Sequence, residues 1–197
     1  MALGKQAKIL TDKQVRAVLA ELDTRRYPLR DRVMLLFSIK AGMRAVEIAS
    51  ITWAMVTDAE GEIGDLIAFQ NRASKGKVGG RHIPMHPEIK AALTALRQER
   101  GDKARQDWPV IYSERERGLS AAAVAVWFHR LYSGLGMVGC SSHSGRRTFI
   151  TRAARKISEA GGSLRDVQML AGHANLGTTS SYIEHDAEAQ KKVISLI

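Results

Sequence analysis

The chain has 197 residues, 45% of them apolar, which suits one soluble globular domain with a buried core. No run of eighteen apolar residues and no apolar leader is present, so neither a membrane span nor a secretory signal is expected. A single cysteine, Cys140, excludes an internal disulfide framework and a cysteine-rich zinc site and suits a reducing cytoplasm. The formal charge of +10 favours a polyanionic partner, most often nucleic acid.

The chain is predicted to begin with a loose basic arm, residues 1–10, followed by a helix. Thr11 is the expected N-cap of this helix, and Gln14 is the return partner of a capping box. A second, heavily apolar helix is predicted over about residues 29–41 and is expected to lie in the core. Gly42 is expected to end that helix.

A third helical segment is predicted from about Met43 to Ile51, and it carries an arginine directly after the glycine turn. Glu47 stands three residues after Arg44, a spacing at which a carboxylate can hold a guanidinium in one rotamer. Taken alone, the segment more often indicates an ordinary surface ion pair at a helix start.

Residues 57–86 change character and predict a small antiparallel sheet. Residues 66–69 and 81–85 have the composition of strands, and residues 74–80 that of a flexible turn between them. This places Lys75 and Lys77 near a hairpin tip, where solvated lysines are also common.

Helices dominate the second half of the chain. Helices are predicted over residues 87–100, 119–132, 164–170 and 187–197, with a short strand over 108–112. His129 is expected to be a surface or partly buried histidine rather than a ligand. The predicted fold is therefore mixed, mainly α-helical with a small antiparallel β-sheet.

Residues 140–152 contain an imidazole and a guanidinium at helical spacing. With Ser142 as the expected helix cap, His143 and Arg146 share one face near a helix N-terminus. A positive dipole end with these two groups favours a phosphate site, although an ordinary basic helix start has the same pattern.

The stretch from Ala171 to Asp186 holds an imidazole, His173, and a phenol, Tyr182, nine residues apart. Asn175 or Thr178 is expected to cap a short helix between them. A free phenol has a pKa of about 10 and is a poor nucleophile at neutral pH, so it requires cationic or basic help.

Four segments in order carry a resemblance to a known family. They are GMRAVEI, SKGK followed by RHIPM, HSGRRTF, and LAGHANLGTTSSY. The candidate residues in these and the neighbouring positions follow an order that resembles the catalytic signature of the tyrosine recombinase (phage integrase) family. They are Arg44, Lys75, His143, Arg146, His173 and Tyr182. Each segment is weak alone, but the ordered set is specific, and the resemblance covers the chain from Thr11 to its C-terminal helix.

The resemblance implies a tyrosine recombinase catalytic domain fold and the chemistry of that family. Tyr182 would attack the scissile phosphate to give a 3′-phosphotyrosyl link and a free 5′-hydroxyl. Arg44 and Arg146 would hold the non-bridging oxygens, a task to which arginine forks are suited.

The remaining implied roles concern proton transfer and support. Lys75 would be the general acid for the leaving oxygen, with Lys77 as its rival. His143 would assist proton transfer at Tyr182, and His173 would hydrogen-bond the phosphate. Glu47 would support the arginines, His185 has no role in the family pattern, and no metal, ATP or other cofactor is expected.

The implied organisation is a basic arm (1–10), a catalytic domain (11–186) and a C-terminal helix (187–197). That helix either folds back or is exchanged between protomers. The expected partners are double-stranded DNA and further copies of the chain, from dimer to tetramer in synapsis, with host DNA-bending or directionality factors. A bacterial, phage or mobile-element origin is implied.

Two departures from the family pattern stand out. Position 145 is glycine, where the family commonly has leucine, so a looser helix start is expected around His143. The usual N-terminal DNA-binding domain is not expected in this chain, because only about ten residues precede the first predicted helix, as in the short fimbrial-switch invertases. The chain is therefore expected to be either a natural short form that relies on cooperative assembly or an excised catalytic domain.

The leading function is site-specific recombination for integration, excision or inversion. One alternative is a DNA-binding accessory or regulatory remnant without strand exchange, against which the intact six-residue set argues. Another is a type IB topoisomerase, which shares the chemistry but relaxes DNA as a monomer. The tail beyond Tyr182 favours recombination.

Overall fold

A computed structural model describes residues 6–69, 81–182 and Ser195. Three predicted features lie outside the described residues. They are the turn with Lys75 and Lys77, the residue His185, and the C-terminal helix apart from Ser195. The chain divides into two compact units, Met1–Phe149 and Ile150–Ile197. Within the described ranges, none of the helices has the length and apolar character needed to cross a bilayer.

Helices build most of the first unit. They are α1 (Asp12–Leu22), α2 (Pro28–Lys40), α3 (Ala45–Ser50), α4 (Pro87–Arg100), α5 (Ala121–Gly134) and the start of α6 (Ser144–Lys156). Short 3-10 turns lie at Trp53–Met55 and Gly101–Lys103. Helix α2 packs against α1 and α4, and α3 packs against α5.

Local signals set the starts of α1 and α4. Thr11 Oγ1 accepts the Gln14 N–H at 3.2 Å, and Gln14 Oε1 accepts the Thr11 N–H at 2.9 Å, which confirms the capping box. Helix α4 has the predicted bounds and begins with Pro87, whose missing N–H costs nothing in a first turn.

Helix α2 is the central core element, as predicted. Apart from the partly buried Leu29, its aliphatic and aromatic side chains are buried, among them Val33, Leu36 and Phe37. A helix that is apolar on every face must be surrounded by other elements. Its burial therefore fixes the turn that follows it, residues 41–44, against the core.

The predicted antiparallel sheet is present with two short strands. Strand β1 (Leu66–Ala68) pairs with β2 (His82–Pro84), and Ile67 faces Ile83. The predicted strand over residues 108–112 is wrong: Pro109 and Tyr112 form only isolated bridges. Pro109 has no N–H to continue a ladder.

The end of the N-terminal arm is packed rather than loose. The Leu10 side chain is buried, and its N–H donates to Thr148 Oγ1 at 2.8 Å. The Ala7 carbonyl accepts from Arg147 Nη1 at 3.0 Å. The expectation of a loose arm is therefore wrong for residues 7–10, because these contacts tie them to the start of α6.

The second unit contains the rest of α6, then α7 (Leu164–Ala171) and α8 (Leu176–Ser180), which pack together. Gly172, with φ 61°, ends α7 in the left-handed conformation that glycine adopts easily. Asn175 Oδ1 accepts the Thr178 N–H at 2.9 Å, so Asn175 is the cap of α8.

Candidate active site

The turn between α2 and α3 presents Arg44. Gly42 has φ +61°, and a Cβ there would lie 2.4 Å from Phe149 Cδ1. Only glycine fits this backbone conformation and this close approach. Arg44 follows as the N-cap residue of α3, with a partly exposed side chain.

Glu47 binds both the backbone and the side chain of Arg44. Its Oε2 accepts the Arg44 N–H at 2.6 Å, and its Oε1 lies 3.4 Å from Arg44 Nη1. A carboxylate in the first turn of a helix is stabilised by the free N–H groups there. The contact expected from the spacing is present, and the same carboxylate caps α3.

Arg81 is a neighbour of this pair that the sequence analysis treated only as the first residue of a strand. Its Nη2 lies 3.0 Å from Glu47 Oε1, an ion-pair contact whose alignment is poor for a hydrogen bond. Burial lowers the pKa of Arg81, Glu47 opposes that shift, and the charge of Arg44 adds to it. Glu47 thus lies between two guanidinium groups.

Arg146 is held against the same turn. Its side chain is buried, with the residue only 3% exposed, and Nη1 donates to the Gly42 carbonyl at 2.5 Å. This hydrogen bond anchors the first turn of α6 to Gly42, which lies two residues before Arg44 in the chain. Of the expected pair of arginines, Arg44 lies in the turn of residues 42–44 and Arg146 lies on the helix that contacts this turn.

The start of α6 differs in detail from the prediction. Ser141 Oγ accepts the His143 N–H at 3.3 Å, and Ser144 Oγ accepts the Ser141 N–H at 3.0 Å. Ser142 is therefore not the cap. His143 is exposed, and its carbonyl accepts the Arg147 N–H at 2.9 Å, so it directly precedes the first helical turn.

Gly145 lies at a close contact between α6 and α2. A Cβ at this position would lie 2.2 Å from Ser38 Oγ and 2.8 Å from Ser38 Cβ. The expectation of a looser helix start is therefore wrong. The missing side chain lets the two helices approach, and the helix start is packed.

Gly145→Ala is expected to lower the free energy of unfolding by about 1–3 kcal/mol, the usual cost of overpacking a core. Urea denaturation would measure it. Gly134→Ala is the matched control, because Gly134 ends α5 and a Cβ added there would meet nothing within 4 Å. Equal stability of the two variants would contradict the close contact.

In the second unit, His173 and Tyr182 lie side by side. Their rings stack with centroids 5.5 Å apart and planes 23° apart. His173 is buried, and its Nδ1 lies 2.9 Å from Oγ1 of the buried Thr179, a contact that the sequence analysis missed. When Thr179 donates to Nδ1, the neutral ring carries its proton on Nε2, which is then a donor.

The backbone of Tyr182 is fixed directly after α8. Its N–H donates to the Thr179 carbonyl at 3.1 Å, and its own carbonyl accepts from Thr151 Oγ1 at 3.4 Å. Thr179 therefore contacts both the imidazole and the chain that carries the phenol. These contacts hold His173 and the backbone of Tyr182 to the same residue of α8.

The sequence-predicted residues fall into three groups. Arg44, Glu47, His143 and Arg146 belong to the first unit, and His173 and Tyr182 belong to the second. Lys75 and its rival Lys77 lie outside the described residues, as does His185. His129 is exposed on α5, as expected.

A sequence model of the phage integrase family matches residues 8–189. The chain therefore belongs to the phage integrase family. The resemblance stated from the four segments is confirmed by this match.

Individual relatives agree with that membership. The tyrosine recombinase XerC of Xylella fastidiosa (strain 9a5c) is 31% identical over 194 residues, covering 98% of this chain and 61% of the relative. The tyrosine recombinase XerA of Thermococcus onnurineus is 26% identical over 190 residues, covering 94% of this chain and 62% of the relative. The chain thus spans about three-fifths of the length of these curated relatives.

The fold expectation is also confirmed. The integrase of transposon Tn1549, solved in complex with a circular intermediate DNA, superposes with a TM-score of 0.74. The match has 19% sequence identity and covers 99% of this chain and 67% of that one. The mainly helical architecture with its small sheet is that of a tyrosine recombinase catalytic domain.

Proposed function

We propose that this chain is the catalytic part of a site-specific DNA recombinase that cleaves and rejoins double-stranded DNA through a 3′-phosphotyrosyl intermediate. The observation that carries the proposal is the turn at residues 42–44. Arg44 lies in this turn, and Arg146 donates to its Gly42 carbonyl, so one bend of the chain carries one arginine and contacts the other. Such forks match the oxygens of a phosphodiester.

Tyr182 is the proposed nucleophile. Its phenolic oxygen attacks phosphorus, the bond from phosphorus to the 5′-oxygen breaks, and the energy of the phosphoester is kept in the new link. The reverse attack by a 5′-hydroxyl rejoins DNA. Because the link is covalent, the cycle requires no ATP and no other cofactor.

Proton transfer is assigned to two residues. His143 accepts the phenolic proton of Tyr182, and Lys75 supplies a proton to the leaving 5′-oxygen. The assignment of Lys75 rests on the resemblance alone.

Charge stabilisation is assigned to the arginines and His173. Negative charge grows on the non-bridging oxygens as the phosphate is attacked, and preorganised donors stabilise it most in that state. Arg44 and Arg146 hold these oxygens. His173 donates from Nε2, the tautomer that a hydrogen bond from Thr179 favours.

The proposed partners are double-stranded DNA and other copies of the chain. A formal charge of +10 supports binding to the phosphate backbone. Residues 11–186 are proposed as the catalytic domain and residues 187–197 as a helix exchanged between protomers in a dimer or tetramer. Host DNA-bending or directionality factors complete the proposed assembly.

The experiment is covalent trapping on DNA that flanks the gene, with a nick beside each test site so that the cleaved strand diffuses away. The protein is incubated without metal, denatured and digested, and the peptide that carries nucleotide mass is sequenced. The expected result is an adduct on Tyr182. DNA binding without any adduct would favour the accessory DNA-binding alternative instead.

A supercoiled plasmid without paired sites separates the remaining alternative. Relaxation of that plasmid by the monomer would favour type IB topoisomerase activity. The expected result is no relaxation unless recombination sites are present.

A further inference from the structure

Arg81 has no part in the chemistry proposed above, yet its side chain is largely withdrawn from solvent beside one of its arginines. Its side chain is 14% exposed, and it lies 3.0 Å from a carboxylate that also contacts Arg44. Burying a guanidinium is costly unless a partner offsets the loss of hydration. The carboxylate of Glu47 is positioned to offset that loss for Arg81.

The backbone of Arg81 is fixed at the base of the hairpin. Its carbonyl accepts the Phe69 N–H at 2.9 Å, directly beyond the β1–β2 pairing. Its guanidinium carbon lies 5.2 Å from the Phe69 ring centroid, within the range of a cation–π contact. Arg81 thus joins the sheet to the first turn of α3.

We propose that Arg81 is a positioning residue for Arg44, acting through Glu47. This inference rests on the proposed function, in which Arg44 holds a phosphate oxygen. Glu47 shares its charge between two guanidinium groups, so Arg44 is held in place without being fully neutralised. The three groups carry one net positive charge, which suits an approaching phosphate.

Without Arg81, Glu47 would have Arg44 as its main cationic partner. The carboxylate would then compete with the phosphate for that guanidinium, and the hairpin base would lose its tie to α3. Both effects act on the step at which charge grows on the phosphate oxygens. The effect should therefore depend on the charge of the scissile group.

The experiment compares Arg81→Met with wild type in single-turnover cleavage of two matched DNA duplexes. One carries a normal scissile phosphodiester and the other a neutral methylphosphonate at the same position. The variant is expected to slow phosphodiester cleavage about 10- to 100-fold, within the range of coupling between residues of one ion-pair network. Methylphosphonate cleavage should change much less, because it lacks the charge that Arg44 meets.

Two further variants test the route through Glu47. Arg81→Lys keeps the charge and should recover part of the rate, and in a Glu47→Gln background Arg81→Met should add little. Arg97→Met is the matched control, because Arg97 makes an exposed ion pair with Glu62 at 3.3 Å. Equal slowing of both substrates, or no slowing, would overturn the proposal.

A DNA-free measurement keeps this inference separate from the proposed function. In ¹H–¹⁵N spectra, the Nε–H signal of Arg44 should exchange more slowly with water in Arg81→Met than in wild type, because Glu47 then pairs mainly with Arg44. The Arg146 signal should not change. If wild-type protein formed no adduct, the proposed function would fail and this spectrum alone would decide the role of Arg81. An unchanged Arg44 signal would overturn that role.

Discussion

Tyr182→Phe is expected to abolish the covalent protein–DNA adduct while DNA binding stays close to that of wild type. The variant removes only the phenolic oxygen, and the ring keeps its stacking on His173 and its backbone hydrogen bonds. Loss of a nucleophile from a catalytic set costs at least about 10³-fold in rate. Denaturing gels for the adduct and a filter-binding assay for DNA would measure the two effects.

Tyr132→Phe provides a matched control for that prediction. Tyr132 is fully buried, and its hydroxyl has no hydrogen-bond partner in the part of the chain that the structure describes. Burial raises the pKa of Tyr132, which makes its phenol a still poorer nucleophile. The control should form adduct at the wild-type rate. An adduct that persisted in Tyr182→Phe would mean that another side chain attacks the DNA.

Arg146→Lys is expected to slow cleavage about 10²- to 10³-fold, the cost of removing one preorganised donor from a charged transition state. Lysine keeps the charge but lacks the planar fork. Arg146 is buried with one nitrogen committed to the Gly42 carbonyl, so its other donors are oriented. Single-turnover cleavage at saturating protein would separate this effect from weaker DNA binding.

Stability must be followed in the same variant, because the Gly42 carbonyl would lose its donor. Urea denaturation of Arg146→Lys gives that cost separately from the rate. Arg130→Lys, at an exposed position on α5, is the control and should change neither quantity. A cleavage rate for Arg146→Lys within about threefold of wild type, against an expected loss of at least 10², would contradict the proposed clamp.

Contacts within one turn of helix were predictable from the sequence. The capping box at Thr11 and the contact between Arg44 and Glu47 both span three residues. At that separation the geometry of a helix start leaves few alternatives, so residue type and spacing are enough. The bounds of α4 were predictable because Pro87 suits a first helical turn and an amphipathic pattern follows it.

Contacts between distant segments were not predictable in this way. Glu47 and Arg81 meet because α3 lies near the hairpin base, and Gly145 meets Ser38 because the start of α6 lies against α2. No periodicity in either segment specifies these partners, since they depend on the path of the whole chain. The proposed catalytic residues were found through their order along the chain, which is a property of the family.

The contact between Gly145 and Ser38 links two positions that are far apart in the chain. A bulkier residue at position 145, such as the leucine common in the family, would require α2 and α6 to lie farther apart or position 38 to be smaller. The two positions should therefore have changed together during the divergence of this chain. If the residue of a relative were introduced at only one of these two positions, the side chains at 38 and 145 would no longer fit each other in size.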